Sequence, residues 1–541
     1  MKSLESNLLG LYTALIDDVS RYYPKEIPEW RRAQAHLRSI MEARGSKFFT
    51  IDLVAIGKHF DRCLSIGTYT PSRLLYQRAL KRGDVRPRLF WALYRKVFRK
   101  DGILRDDVDL TAVSLLRQLY NAAKKVRYSC DSSATYKVVG EFFDIEKENR
   151  APSFDWTLDD PGFGVGIGCH LRDNQNPTGP RHGQLCFEGF EPLESVAARA
   201  PSAALLDLVQ QVADRVAVDI GEVTYDAVIP KHGPGAVADV RLGVQSKYTF
   251  PNWPAKLEST FPGIGFSLPN ESLYSGLDGD LWSPKLANHE PPAGLVAVPK
   301  TQKGPRLIAK EPTAHQWMQQ GVKRFLLDRF RHLFVSKCVD FFDQRHSQRE
   351  ALRASTRGSG CTIDLSNASD RLTCWVVERM FRKNLSFLYA VHAVRTRWLV
   401  NNIDKKRPRF TKLKMFSTAG SALTFPVQSI VFAIISIACT MYAKGVRPAN
   451  SFRSGSQLRK LCWEHAGLVR VFGDDIIIPE EAYPLVNQVL SYLGLKVNVS
   501  KTFVGGKFYE SCGVDAYAGV DVTPTYYLEA PVESAPESVS S

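Results

Sequence analysis

Acidic side chains are scarce in this sequence. Against 71 Lys and Arg there are 56 Asp and Glu, so the 541 residues carry a formal charge of +15 and a pI near 9.2. That balance argues against a polycationic partner and favours a polyanion. Cysteine is sparse and unpatterned: ten residues with no C-x-x-C pair suit a reducing cytosol better than a disulfide framework or a zinc ribbon. Long apolar runs are missing too. The most hydrophobic stretch, Ile430 to Tyr442, is shorter than the roughly 20 residues a bilayer demands, and with Pro426 and Gln428 just before it a buried helix is expected. The first residues, Met1-Lys-Ser-Leu-Glu-Ser-Asn7, lack a basic head followed by an apolar core, so no secretory or membrane address is expected. Finally, Gly162-Phe-Gly-Val-Gly-Ile-Gly168 alternates its glycines and misses the dinucleotide fingerprint, while Cys169, His170, His182 and Cys186 follow the spacing of no common zinc finger. Residues 144–192 are therefore expected to be loop.

What is present is an ordinary globular composition, 44% hydrophobic, enough for two to four subdomains. Its most informative stretch is Leu468-Val-Arg-Val-Phe-Gly-Asp-Asp-Ile-Ile-Ile-Pro479. Branched and aromatic side chains on both sides of Gly473 predict a β-hairpin whose tip carries Asp474 and Asp475. Adjacent anions repel, and a hard divalent cation with oxygen ligands relieves that repulsion; a plain polar turn is the competing reading. A second acidic motif lies upstream at Cys361-Thr-Ile-Asp364-Leu-Ser-Asn-Ala-Ser-Asp370. Here a short apolar strand is expected to end at Asp364, with Ser366 or Ser369 capping a helix that runs through Leu372, Trp375, Val376 and Met380. If the two strands are neighbours, three carboxylates can share two metal ions; otherwise Asp364 is only part of a helix start.

These two motifs, together with Phe416-Ser-Thr-Ala-Gly-Ser-Ala-Leu-Thr-Phe425 and Lys501-Thr-Phe-Val-Gly-Gly-Lys-Phe-Tyr-Glu-Ser-Cys-Gly513, resemble the RNA-dependent RNA polymerases of positive-strand RNA bacteriophages, the levivirus replicase β subunits. The resemblance is dense from about Leu295 to Thr525. It implies an α+β right-hand polymerase, with helical fingers and an RRM-like antiparallel-sheet palm. The implied divisions are a basic, mainly helical fingers region at 1–260, fingers with a basic hairpin at 261–360, a palm at 361–525 and a disordered or truncated tail at 526–541. Family members continue with a thumb, which this chain is expected to lack.

The activity implied is RNA-templated RNA synthesis in the cytoplasm of an infected bacterium. Asp364, Asp474 and Asp475 are the implied catalytic ligands of two Mg²⁺ ions, for which Mn²⁺ can substitute. In Leu295-Val-Ala-Val-Pro-Lys300-Thr-Gln-Lys303-Gly-Pro-Arg306-Leu-Ile-Ala-Lys310, four cations in eleven residues suggest a charged hairpin. The resemblance assigns Arg306 to the nucleoside triphosphate, with Lys300, Lys303 and Lys310 nearby; Lys501 is the basic group expected to meet the leaving pyrophosphate. Asp370, Ser417, Gly420 and Thr424 would select ribose at the template loop, where Gln428 stands in place of the Asn common in such polymerases. Tyr509 likewise replaces an Arg usual in the priming-strand grip. Expected partners are RNA template and product, nucleoside triphosphates and, through the resemblance alone, host elongation factors Tu and Ts and a ribosomal RNA-binding protein, with no membrane. A reverse transcriptase would share the palm, but no bulky aromatic follows Asp364 to exclude a 2′-OH. A non-catalytic RNA-binding palm protein is the other alternative.

Elsewhere the chain is less explicit. Asn7 to Tyr128 looks helical and basic; between Arg73 and Lys100 ten Lys or Arg interleave with large apolar residues, which suits either a phosphate-binding face or a solvated helix pair. Ser202 to Val216 is expected to be a helix. Lys231-His232-Gly-Pro-Gly235 is either a phosphate-binding turn or a surface turn, and 250–293 reads as a loop-rich connection.

Overall fold

The computed structural model describes residues 2–72, 82–127, 130–153, 200–240, 246–248, 250, 252–267, 286–287, 290–448, 455–529 and 539. The glycine run at 162–168, the Cys/His group at 169–186 and nearly all of the tail after 529 lie outside them, as do residues 73–81 of the basic stretch.

The N-terminal part is helical, as its apolar spacing predicts: α1 (Lys2–Tyr22), α2 (Ile27–Arg44), α3 (Leu53–Ile66), α4 (Trp91–Val97), α5 (Leu110–Asn121) and α6 (Ser132–Glu148). The side chain of Asp109 accepts from the Ala112 N–H and so caps α5, while Asp131 does the same for α6 through Ala134. α7 (Ala203–Ile220) follows, capped by Ser202. The connection from 250 onward is less open than expected. Trp253 is fully buried in a two-residue parallel pairing of β1 (Trp253–Pro254) with β2 (Leu286–Ala287).

Next comes the predicted basic hairpin, β3 (Ala293–Thr301) and β4 (Gly304–Lys310), antiparallel and turning at Gln302-Lys303. The long helices α8 (Thr313–Phe330) and α9 (Arg345–Arg357) lead into β5 (Cys361–Ile363) and β6 (Leu365–Ser366). Neither Ser366 nor Ser369 caps the helix that follows. A single turn at Ala368–Arg371 starts from Asn367 in the left-handed region, and Thr373 caps α10 (Cys374–Met380) by accepting from Val376. The Ser366 and Ser369 expectation failed because the chain bends between Arg371 and Thr373, which moves the true helix start downstream.

α11 (Leu385–Val394) leads to β7 (Trp398–Val400) and β8 (Phe410–Lys412), strands the sequence did not announce. β7 joins β3 in parallel, extending the basic hairpin to a four-stranded sheet in the order β4-β3-β7-β8. α12 (Thr424–Ala443) is the expected buried helix, but it begins before Pro426 and Gln428, both inside its first two turns. Proline is tolerated there because the first N–H groups of a helix need no carbonyl partner. Among the described residues it is the one helix long and apolar enough to cross a membrane, and 94% of its most apolar 18-residue stretch is buried within the protein.

After α13 (Gly455–Ala466) the central hairpin appears as β9 (Arg470–Phe472) and β10 (Asp475–Ile478). α14 (Tyr483–Tyr492), β11 (Lys496–Val497), β12 (Phe503–Val504), β13 (Phe508–Ser511), β14 (Val514–Tyr517) and β15 (Val520–Asp521) complete the chain. The central sheet runs β12-β5-β10-β9, antiparallel throughout, so the fold is α+β as expected.

Two large cores result. One packs α7, α8, α10, α11 and α12 against the central sheet. The other is built by α1 to α5 and is completed by residues from the far end of the sequence, including Ile477, Phe503, Phe508, Tyr509 and Tyr517. Arg117 fastens that junction. Its guanidinium reaches Asp61 and Asp515 at 2.8 Å each and donates to the Val522 carbonyl at 2.8 Å.

Candidate active site

The sheet order brings the two acidic motifs together. Ile363 pairs with Ile476, so β5 ends at Asp364 beside the start of β10 at Asp475. Gly473 turns the hairpin with φ of 63°, in the region that disfavours a side chain. Its N–H donates to Ser429 Oγ at 3.1 Å, and the Phe472 ring meets Phe425 at 5.0 Å, which seats the tip on the first turns of α12.

Each carboxylate has a different setting. Asp364 Oδ2 accepts from Asn498 Nδ2 at 2.7 Å and Oδ1 from Lys501 Nζ at 3.3 Å, with Lys501 also 3.4 Å from Glu510. Asp475 is half-buried and accepts from the Cys512 N–H at 3.3 Å. Asp474 is exposed at the tip. Burial, followed by the charges of Asp474 and Asp364, pushes the Asp475 carboxyl up to about 7, against the pull of Lys501. Although burial opposes it, Lys501 is held above the usual lysine value by Glu510 and Asp364.

The donor chemistry suits a hard divalent cation, since the three side chains offer carboxylate oxygens and burial, with the charges of Asp474 and Asp364, disfavours a bare anion at Asp475. The coordination set is not closed, however. Among the described residues no three acid, His or Cys side chains are drawn together as a metal-holding group, and Asp364 is engaged by Lys501 and Asn498.

The cations of the basic hairpin divide. Burial, and then the charges of Arg306 and Lys501, lowers the pKa of Lys300, against the opposing field of Asp474 and Asp364. Lys303 sits in the exposed turn. Lys310 pairs with Gly294 at the other end of β4, about 13 Å along the strand from Arg306 at ~3.3 Å per residue. Lys300 thus lies within reach of the acids and Arg306 acts on Lys300, while Lys310 is at the far end of the strand.

The loop before α12 is held by a buried polar network. Ser417 Oγ and Thr424 Oγ1 are 2.8 Å apart, Thr424 Oγ1 donates to the Thr418 carbonyl at 2.6 Å, and Thr418 Oγ1 donates to Glu311 Oε1 at 2.9 Å. Gln319 and Thr396 also donate to Glu311, at 3.0 and 2.5 Å. Gly420 lies so close to β4 that a β-carbon there would stand 1.8 Å from the Ala309 oxygen. Gln428 is buried beside the hairpin tip, its Nε2 3.8 Å from where a Gly473 β-carbon would be. Asp370 has other company: it accepts from Ser369 at 3.3 Å, and burial, then Glu146 and Glu141, raises its carboxyl to about 6, with Arg371 opposing. Sequence reasoning missed Glu311, because a lone acid between Lys310 and Pro312 gives no sign that three donors, two of them from distant segments, converge on it.

Comparison with known proteins adds an independent line. Residues 270–539 match the family described as RNA replicase, beta-chain. The RNA-directed RNA polymerase beta chain of Escherichia phage MS2 is 35% identical over 242 residues, 44% of this chain and 38% of its own length. The RNA-directed RNA polymerase subunit beta of Escherichia virus Qbeta is 31% identical over 251 residues, 45% of this chain and 36% of its own. The matches therefore span less than two-fifths of those relatives. A solved RNA-dependent RNA polymerase of a human picorbirnavirus overlaps at 13% identity and a TM-score of 0.30, covering 43% of this chain and 45% of that one, a likeness too slight to carry weight. The two acidic motifs, the basic hairpin and the 416–425 and 501–513 segments all fall within the matched segment, and over residues 270–539 the chain belongs to the RNA replicase β-chain family.

Proposed function

We propose that the protein carries out RNA-templated RNA synthesis, joining a growing 3′-OH to the α-phosphate of a nucleoside triphosphate, with the 361–525 region as palm and the β3–β4 hairpin as part of the fingers. The observation that carries this reading is the pairing of β5 with β10, which sets Asp364 beside Asp475. Asp364, Asp474 and Asp475 would hold two Mg²⁺ ions, which when bound supply charge to activate the hydroxyl and to stabilise the departing oxygen. Lys300 and Arg306 neutralise the triphosphate, Lys501 meets the leaving pyrophosphate, and the Gly420 loop brings backbone close to ribose and base. By kinship with the phage polymerases, RNA, nucleoside triphosphates and host factors in the infected bacterial cytoplasm are its partners.

A second reading is supported by one contact, the Lys501–Asp364 ion pair: a cation already answers one of the three acids, as in a palm that binds RNA without catalysis. Incorporation of labelled ribonucleotides by the purified protein on an RNA template with Mg²⁺ separates the two. Synthesis that Asp474→Asn abolishes, with RNA affinity kept, supports the polymerase; RNA binding without synthesis supports the alternative.

A further inference from the structure

The N-terminal helices do more than pack behind the sheet. α3 lies against β12, β13 and the 499–501 turn that carries Lys501. Arg62 of α3 donates to the Thr502 carbonyl at 3.3 Å, and the turn after β12 comes so close to the end of α3 that a β-carbon on Gly506 would stand 2.2 Å from the Ser65 oxygen. From the other side, the tip of the basic hairpin reaches the segment just before α3. Gln302 accepts from Thr50 Oγ1 and donates to Ser46 Oγ at 3.4 Å. α3 is thereby spanned between the two basic elements of the candidate site, Lys303 on one and Lys501 on the other.

Lys58 projects from this spanned helix. Its neighbour Gly57 permits a tight crossing over α5, where an added β-carbon would be 2.9 Å from Cβ of Tyr120. Lys58 is half-buried, yet among the described residues it makes no hydrogen bond and no ion pair. The charges acting on it are Lys303, Lys124 and Lys501, with Glu510 as the one acid. Burial first, and then those three cations, lowers its pKa. A half-buried ammonium without a protein partner, amid like charges, is destabilising unless something anionic joins it.

We propose that Lys58, together with Lys303 and Lys501, forms a phosphate-binding site contributed jointly by the N-terminal helices, the basic hairpin and the C-terminal strands. The proposal rests on the polymerase reading for its choice of ligand, a phosphate oxyanion belonging either to the RNA backbone or to the nucleoside triphosphate. The RNA backbone and the triphosphate share the chemistry an ammonium recognises, and they separate by experiment. α3 then serves as a wall of the substrate channel, and the N-terminal part takes a direct share in the chemistry's surroundings.

The test compares wild type, Lys58→Gln and Lys58→Arg in the full chain, with thermal denaturation to verify folding. Binding of a labelled single-stranded RNA is followed across 50 to 300 mM salt without divalent ions. Nucleotide KM is measured separately. Loss of a backbone contact appears as about a threefold to tenfold weaker affinity and a salt slope shallower by about 0.7, with Lys58→Arg close to wild type. A raised nucleotide KM with RNA binding intact identifies the triphosphate instead. A folded Lys58→Gln protein with both quantities unchanged overturns the proposal. The RNA measurement needs no turnover, so it stands whether or not Asp474→Asn confirms the polymerase.

Discussion

Ile363 faces Ile476 across an antiparallel pair, and the same register carried one residue further sets Asp364 against Asp475. The position of the acids is thus a property of the sheet. Because β5 is bonded on both flanks, by β10 and β12, Asp364 has a backbone that cannot shift without breaking two pairings.

That placement makes stability depend on pH through Asp475. Its folded-state pKa of about 7 is above the unfolded carboxylate value, so between roughly pH 4 and 7 the folded protein holds a proton that the unfolded chain releases. Stability from this group is full below the unfolded pKa and falls as pH rises through 7. In thermal denaturation without divalent ions, Asp475→Asn should gain on wild type from pH 5 to pH 8. Added Mg²⁺ should stabilise wild type more at pH 8 than at pH 6, since ion and proton compete for the same carboxyl.

Gly420 should tolerate no side chain. With the Ala309 oxygen 1.8 Å from the position of an added β-carbon, and both partners backbone, Gly420→Ala must push the loop off β4. The expected cost is about 1–3 kcal/mol by urea denaturation, with nucleotide incorporation reduced more than RNA binding.

Glu311 should behave as the clasp of the same loop. Glu311→Ala leaves the donors on Thr396, Thr418 and Gln319 without their acceptor in a buried site, at about 1–3 kcal/mol for each group left unsatisfied. Glu311→Gln keeps one carbonyl acceptor and should be milder. Urea denaturation of the pair measures the difference, and equal loss in both would contradict the clasp.

Arg117→Ala should loosen the two ends of the chain from each other. It strands Asp515, which is buried, and Asp61, which is half-buried, both facing the guanidinium, an arrangement whose rupture costs about 3–5 kcal/mol. Limited proteolysis should then cut between α5 and α6 faster than in wild type.

The sequence revealed a good part of this arrangement and hid the rest for identifiable reasons. The hairpin around Gly473 was legible because turn chemistry and β-branched flanks are local signals, and the strand before Asp364 was short, apolar and followed by polar residues. The basic hairpin was legible on the same grounds. The separation of Lys310 from Arg306 along β4 was not legible, because spacing in the sequence does not say where a hairpin turns. Thr373 lost out to Ser366 and Ser369 because a single turn starting at left-handed Asn367, and the bend after Arg371, leave no mark in the periodicity. β7 and β8 went unseen since three-residue strands beside the cation-rich 401–409 segment carry no alternation worth reading. Glu311 and Lys58 were invisible for a deeper reason: most of what surrounds them, Thr396 and Thr418 for the one and Lys303 and Lys501 for the other, comes from far along the sequence.

The core that α1 to α5 share with Phe503, Phe508 and Tyr517 bears on how the protein is made. A ribosome delivers those helices first, yet their apolar faces stay unsealed until some five hundred residues have been polymerised. Assembly of such distant contacts is slow, and the waiting helices present sticky surface meanwhile. A truncated product ending before Phe503 would keep α1 to α5 and still be denied the seam that closes them, so these helices must wait for residues 503–517 to be made before their core is sealed.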